Sequence, residues 1–484
     1  MKQLDKKGVV KESRPERVLQ FGEGNFLRAF IDWMLHRMNE AGAFNGSAVI
    51  VQPLEQGLVD TLNEQDGLYT LFLRGIQDGE EINQHELITS VSRGINPYRD
   101  WDTYLETARN PEMRFVISNT TEAGIAYVRS VPPENECSAS FPAKVTAWLA
   151  ERFRAFDGSV ESGMIFMPCE LINHNGDQLK ECILQHAADW ELGPQFVAWL
   201  EENCVFLSTL VDRIVPGYPR DEAQAMTETL GYEDKLLCTG EIFHLLVIEG
   251  PGEFKEELPF HKAGLNVIWT DDMQPYRTRK VGILNGAHTA SVLGAFLGGL
   301  DTVGEMMEDK DFGRFVKSAV FDELAPALPM NRSEVNVFAS AVMERFKNPY
   351  IRHALLSISL NSVSKWKVRV LPSLEKYIDI FGEVPSRLAF SMAALIAFYK
   401  GDLRAGYVPN DDPVVLEFFA EVWQSEDSAA VVHRVLSHSA FWSQDLTDLL
   451  GFEAAVVENL SEIMANGARA TVEKIVEAQD AINT

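Results

Sequence analysis

The chain has 484 residues, of which 46% are hydrophobic and 24% charged, so it is globular rather than disordered, collagen-like or disulfide-stapled. Its 43 Lys plus Arg against 71 Asp plus Glu give a formal net charge of −28 at pH 7, which argues against a nucleic-acid partner and against docking on anionic membranes. A small anionic substrate would then need a few Lys and Arg to hold it locally against the overall field. The five cysteines, Cys137, Cys169, Cys182, Cys204 and Cys238, form no CxxC pair and fit a reducing, cytoplasmic setting. The N-terminal residues are basic without the apolar stretch of a signal peptide.

In chain order, Val18 to Phe21 is a short apolar strand that runs into Gly22-Glu23-Gly24-Asn25 and then a helical stretch from Phe26 to Asn39. Ser47 to Val51, Phe115 to Ser118 and Met164 to Pro168 are further short apolar runs without alternation, as expected of strands buried on both faces. Helical segments such as Lys144 to Phe156 separate them, which predicts a doubly wound parallel sheet. Val281 to Leu300 carries no charge, but it holds Asn285, His288, Thr289, Ser291 and five glycines, so it reads as a buried helix with polar site residues rather than a membrane span. After about residue 275 amphipathic helices take over: Phe312 to Leu324, Phe338 to Phe346, Arg387 to Tyr399 and Ala454 to Ala478. The expected organisation is therefore an α/β domain over 1–277 and a mostly α-helical domain over 278–484.

Three features carry chemistry. Two glycines at a strand-to-helix turn let the backbone approach a pyrophosphate, although the third glycine of a full fingerprint is replaced by Leu27, and a plain tight turn has the same look. The second strand ends in Gln52-Pro53-Leu54-Glu55 with no acid at its tip; Glu55 is near enough to meet a ribose diol, and no basic residue follows before Arg74. This favours NAD over NADP. Third, on an α-helix advancing about 100° per residue, Lys280, His288 and Asn285 fall at about 0°, 80° and 140°, one arc that a cleft can use. A lysine kept neutral by burial serves as a general base, and Asn and His suit a developing oxyanion. Ser362-x-x-Lys365 matches the SxxK pattern of β-lactamases without its companion motifs, and His433 and His438 lie five apart, so neither is taken as a site; no metal is expected.

The array Gly22-x-Gly24-Asn25-Phe26-x-Arg28-Ala29-Phe30, with Asn119-Thr120-Thr121-Glu122, Val211-Asp212-Arg213-Ile214 and Pro275-Tyr276-x3-Lys280-x4-Asn285-x2-His288, resembles the long-chain mannitol dehydrogenase family over essentially the whole chain. The resemblance implies a Rossmann-type domain followed by a helical domain, and an NAD-dependent polyol or sugar-acid dehydrogenase. It implies Phe21 to Phe26, Glu55 and Asn119 to Thr121 at the cofactor, Lys280 as general acid/base, Asn285 on the reacting oxygen and His288 on a neighbouring hydroxyl. Asp212 and Arg213 would lie near the cleft, and Lys365 at the far end of the substrate. Two departures matter. Leu171 stands where the family has an oxyanion-binding Asn, and Ser357 where it has an arginine. The second departure disfavours a plain polyol and turns attention to Lys365, Arg369 and Arg352 as partners for a carboxylate. A monomer or small homo-oligomer is expected.

Overall fold

The computed structural model describes residues 2–5, 13–121, 123–134 and 136–482; Glu122 of the Asn-Thr-Thr-Glu turn lies outside them. The chain divides into two compact units, Met1–Arg74 with Ile82–Met273, and Gly75–Glu81 with Gln274–Thr484.

The first unit is built on a six-stranded parallel sheet. Numbering its strands in chain order, they are β1 (Glu16–Phe21), β2 (Ser47–Val51), β3 (Val91–Ile95), β4 (Phe115–Ser118), β5 (Ile165–Pro168) and β6 (Val205–Phe206). Their spatial order is β3-β2-β1-β4-β5-β6, the order in which the winding reverses between β1 and β4. The sequence shows no polar alternation because both faces are covered. Leu19, Phe21, Val49, Val51, Val116 and Phe166 pack on one side with Trp148 and Phe141 of helix Phe141–Ala155. Val18, Ile50, Phe115, Ile117 and Met167 pack on the other with Met34 and Met38 of helix Ile31–Glu40. Successive residues thus feed two apolar layers, as the two-residue strand period requires. The expected Phe26–Asn39 helix is two, Asn25–Arg28 and Ile31–Glu40, broken at Phe30, which has φ −126° and ψ −79°. Two three-stranded sheets are absent from the sequence reading: Ser208–Asp212, Leu245–Glu249 and Val267–Thr270 form one, and Cys238–Glu241, Tyr69–Gln77 and Glu80–Ile88 the other, whose residues Gly75–Glu81 count with the second unit.

The second unit is helical. Helix Ser386–Phe398 is buried along nearly its whole length and crosses helix Gly286–Leu297 closely: a Cβ on Gly294 would come within 2.6 Å of the Phe390 ring. The buried carboxylate of Glu323 accepts bonds from the Arg387 and Leu388 backbone N–H groups and pairs with the Arg387 guanidinium at 2.9 Å, which places negative charge at that helix's N-terminus. No helix among the described residues is long and apolar enough to cross a membrane.

Candidate functional site

In the first unit a groove of about 450 Å³ opens at the carboxyl ends of β1, β2 and β4. It is lined by Gly22, Glu23, Gly24, Pro53, Leu54, Asn119, Thr120 and Thr121, with Gly124 and Phe141 among the remaining residues. This is the switch point of the sheet, where open α/β folds bind ligands. Gly22 has φ +119°, and a Cβ there would stand 3.0 Å from the Asn119 carbonyl oxygen, so the close approach of β1 to the β4 turn requires glycine. At Gly24 a Cβ would meet nothing within 4 Å, leaving its backbone open to the groove. Arg28 is buried and holds the turn from behind, donating to the carbonyls of Glu23 and Leu236 and to Asn25 Oδ1.

The β2 tip is organised by Gln52, whose amide donates to the carbonyls of Leu54 and Glu55 at 2.9 Å each. Glu55 is exposed beyond Leu54 and is not among the lining residues. Glu23 does line the groove. Its carboxyl lies over Gly57, where a Cβ would come within 2.2 Å of Oε1, and burial pushes its pKa up. Among the other expected cofactor residues, Phe21 is a core residue against Tyr104 and Phe141, Phe26 stacks on Phe30 at 5.0 Å, and Asn25 accepts a bond from Arg28. These three shape the turn rather than line the groove.

The wall opposite the glycines is the turn after β4. Asn119 donates from its amide to the Cys169 carbonyl at 2.7 Å, and Thr121 sits at φ +74°. Glu170, which the sequence reading passed over, is buried beneath this turn. Its neighbour Leu171 is 57% exposed and offers no donor.

In the second unit Lys280 to Asn285 form a π-helical turn that continues into helix Gly286–Leu297. This corrects the helical arithmetic. With i→i+5 bonding, Asn285 stands about one turn above Lys280 instead of about 140° around the axis, so the two side chains share a face more closely than an α-helix allows. Close packing accompanies the widened turn: a Cβ on Gly282 would reach Leu328 at 3.0 Å, and one on Gly286 the Arg369 carbonyl oxygen at 3.2 Å. Lys280 and Asn285 are half-buried and His288 is buried. The His288 ring stacks on Phe346 at 4.1 Å, meets His353 edge-on at 5.5 Å, and has an Nε2 that is buried without a protein partner. Burial holds its pKa well below the usual imidazole range, and His353, Arg345 and Arg369 nearby push it further down. His288 is therefore neutral at physiological pH.

Arg345 and Arg369 stand close enough to this ring to act on its charge, and Lys365 is close to Arg369. Lys365 and Arg369 lie one turn apart on helix Ser362–Arg369, and Arg345 comes from helix Arg332–Phe346. Burial lowers the pKa of both Lys365 and Arg369, and Arg369 lowers Lys365 further, although Asp411 opposes this. The Lys365 ammonium donates to the Ile358 carbonyl at 2.9 Å. Arg352 is exposed. Arg345 and His353 were missed in the sequence, where nothing in their spacing ties them to His288; the fold alone brings them together.

Arg213 is held by the scaffold. Its guanidinium is buried, donates to the carbonyls of Phe243, Ala29 and Ile242, and lies 4.2 Å from the Trp33 ring centroid. All three nitrogens serve the scaffold, and burial pushes its pKa down to about 9. Asp212, buried at the end of strand Ser208–Asp212, belongs to the same packed region.

Comparisons with known proteins agree with this architecture. Residues 16–262 match the mannitol dehydrogenase Rossmann domain and residues 272–464 the mannitol dehydrogenase C-terminal domain. The altronate oxidoreductase of Pectobacterium carotovorum subsp. carotovorum (strain PC1) is 47% identical over 486 residues, covering 98% of this chain and 99% of that one. That of Shigella flexneri is 46% identical over 479 residues with the same coverage. Among solved structures, the Pseudomonas fluorescens mannitol 2-dehydrogenase ternary complex with NAD and D-mannitol shares the fold at a TM-score of 0.65 and 22% identity, over 96% of this chain and 95% of that one. A substrate-free D-sorbitol dehydrogenase does so at 0.78 and 20%, over 98% and 100%. Matched along both units and nearly end to end, the chain belongs to the mannitol dehydrogenase family.

Proposed function

We propose that the protein interconverts D-tagaturonate and D-altronate with NAD(H), a hexuronate-catabolic reaction of the galacturonate branch, as a cytoplasmic enzyme acting as a monomer or small homo-oligomer. The observation that carries the substrate class is the gathering of Arg345 and Arg369 near His288, with Lys365 beside Arg369, in a chain whose net charge is −28. An acidic protein gathers cations at one place where an anion is to be held. The full-length relatives named altronate oxidoreductase point to the same substrate.

The groove fits a dinucleotide: a glycine turn open at Gly24, the Asn119–Thr121 wall, and the Glu23 carboxylate for a ribose diol, with Glu55 exposed just beyond the lining at the end of the second strand. NAD(H) held there would supply the hydride chemistry. Reduction of the keto acid also puts a proton on the carbonyl oxygen, and oxidation removes it. Lys280 is the residue for that proton. Asn285 cannot titrate, and burial lowers the pKa of His288, which favours its neutral form. Asn285, on the same face of the π turn, donates its amide to the developing oxyanion. The unpartnered Nε2 of neutral His288 is available to a neighbouring substrate hydroxyl. Lys365 and Arg369 hold the carboxylate, which fixes the orientation of the sugar chain.

The test is NADH oxidation with tagaturonate, fructuronate and fructose side by side. Tagaturonate is expected to give the highest kcat/KM. A higher value for fructuronate would make this a mannonate oxidoreductase, and one for fructose a mannitol dehydrogenase.

A further inference from the structure

Glu170 follows β5 with its side chain buried under the groove wall. Its Oε2 accepts from Ser118 Oγ at 3.0 Å, and its Oε1 accepts from the Thr120 backbone N–H and the Thr120 hydroxyl, each at 2.9 Å. Behind it, the Asn175 amide donates to the Glu170 carbonyl at 3.0 Å and ties it to the start of helix Asn175–Asp189. The turn it grips is constrained from every side. The Asn119 N–H donates to the Phe21 carbonyl at 3.0 Å, the Cys169 N–H donates to the Ser118 carbonyl at 2.7 Å, and a Cβ on Gly124 would stand 2.0 Å from the Thr120 hydroxyl.

Burying a carboxylate is costly unless donors surround it, and here three donors converge from residues 118 and 120 alone. A core of apolar residues would stabilise the sheet at less cost, so the natural account of this carboxyl is the turn it shapes. That turn lines the groove on the β4 side, away from the β2 tip where the adenosine ribose is read. Thr121, the next residue, is held at positive φ, a conformation that persists only when its surroundings impose it.

We propose that Glu170 is a positioning residue for the dinucleotide: by clamping Ser118 and Thr120 it fixes the Asn119–Thr121 wall in the shape that the nicotinamide-ribose half requires. The inference rests on the reading of the groove as an NAD(H) site. It extends that reading to a residue that does not line the groove. Clamping requires only that an acceptor face Thr120, so Gln at 170 preserves most of the function while Ala abolishes it.

The experiment is direct NADH titration by fluorescence on the purified full chain, below the thermal midpoint of each variant, with those midpoints measured in parallel. Glu170→Ala is expected to raise the NADH Kd ten- to a hundredfold, and Glu170→Gln to stay within about fivefold. Thr120→Val should raise it severalfold and add little on top of Glu170→Ala, since both remove one contact. Wild-type Kd in Glu170→Ala, or Kd changes that simply follow the midpoints, would overturn the positioning role. If Glu170→Ala does not fold, Thr120→Val carries the test: its NADH Kd should rise severalfold while that of Glu170→Gln stays near wild type, and a wild-type Kd in Thr120→Val refutes the clamp. Failure of the wild-type chain to bind NADH at all would sink the cofactor reading itself, a distinguishable outcome.

Discussion

Removing the Lys365 ammonium isolates the recognition of the substrate's acid group. Burial and the neighbouring Arg369 both lower its pKa, so the empty site holds two cations at some electrostatic cost. A substrate carboxylate relieves that cost and adds a charge-assisted hydrogen bond of about 1.5–3 kcal/mol. Lys365→Ala should therefore lose about ten- to a hundredfold in kcat/KM for the sugar acid. With a neutral ketose of the same length the loss should stay within about threefold, because no carboxylate is there to miss the ammonium. The pH dependence has a definite sign. The lowered pKa means that Lys365 loses its proton at lower pH in the enzyme than in a free chain, so KM for the sugar acid should rise as pH climbs through that lowered value. Arg369 stays charged across the assay range and sets the residual affinity. The assay is steady-state NADH oxidation from pH 6 to 10 with both substrates. Equal losses on the acid and the neutral ketose would refute the assignment and move the carboxylate elsewhere.

Lys280→Ala should lower kcat by on the order of 10²–10⁴ with the NADH Kd unchanged, and small primary amines should restore part of the rate; retention of the wild-type pH profile would remove Lys280 from proton transfer. NADH should outperform NADPH, since a 2′-phosphate beside Glu23 and Glu55 brings like charges together, and Glu23→Gln should narrow the kcat/KM ratio severalfold; a ratio unmoved in that variant would exclude Glu23 from cofactor choice. Arg213→Met should cost on the order of 3–5 kcal/mol by chemical denaturation, because three buried carbonyls lose their donor, yet leave KM for the sugar acid within about twofold; a large KM change in folded protein would return Arg213 to the substrate site.

What the sequence shows and what it hides divide along a physical line. β2 and β4 appear with their observed ends, Ser47–Val51 and Phe115–Ser118, because a strand buried on both faces is a bounded apolar run that needs no distant information. The hairpin strands Tyr69–Gln77 and Glu80–Ile88 escaped because the second is largely exposed and polar, so it leaves no apolar signature. The candidate site splits in the same way. Gly22 and Gly24 are legible because a tight turn restricts residue type locally, whereas Glu23 and Glu55 cannot be ranked at the β2 tip until the path of the chain over Gly57 is known. Arg213 misled because its motif neighbours carry the family pattern, while the role of its guanidinium depends on three carbonyls, from Ala29, Ile242 and Phe243, that only the folded chain assembles.

The π turn is the deepest case. Lys-x4-Asn-x2-His reads on an α-helix as three side chains fanned over about 140°. The extra residue accommodated between Lys280 and Asn285 rotates them onto one face, and the spacing of four that looks awkward for an α-helix is the natural spacing for i→i+5 bonding. The α-helical arithmetic is therefore mistaken in its geometry, and the π turn suits the proposed chemistry better. A proton donor and an amide stacked a turn apart can address one oxygen atom, whereas side chains 140° apart address it only by bending toward each other. Lengthening the turn tests this directly. Inserting one alanine between Val281 and Leu284 sets Lys280 and Asn285 six positions apart, about 120° around an α-helix axis, and should abolish turnover while the NADH Kd, set in the other unit, remains unchanged.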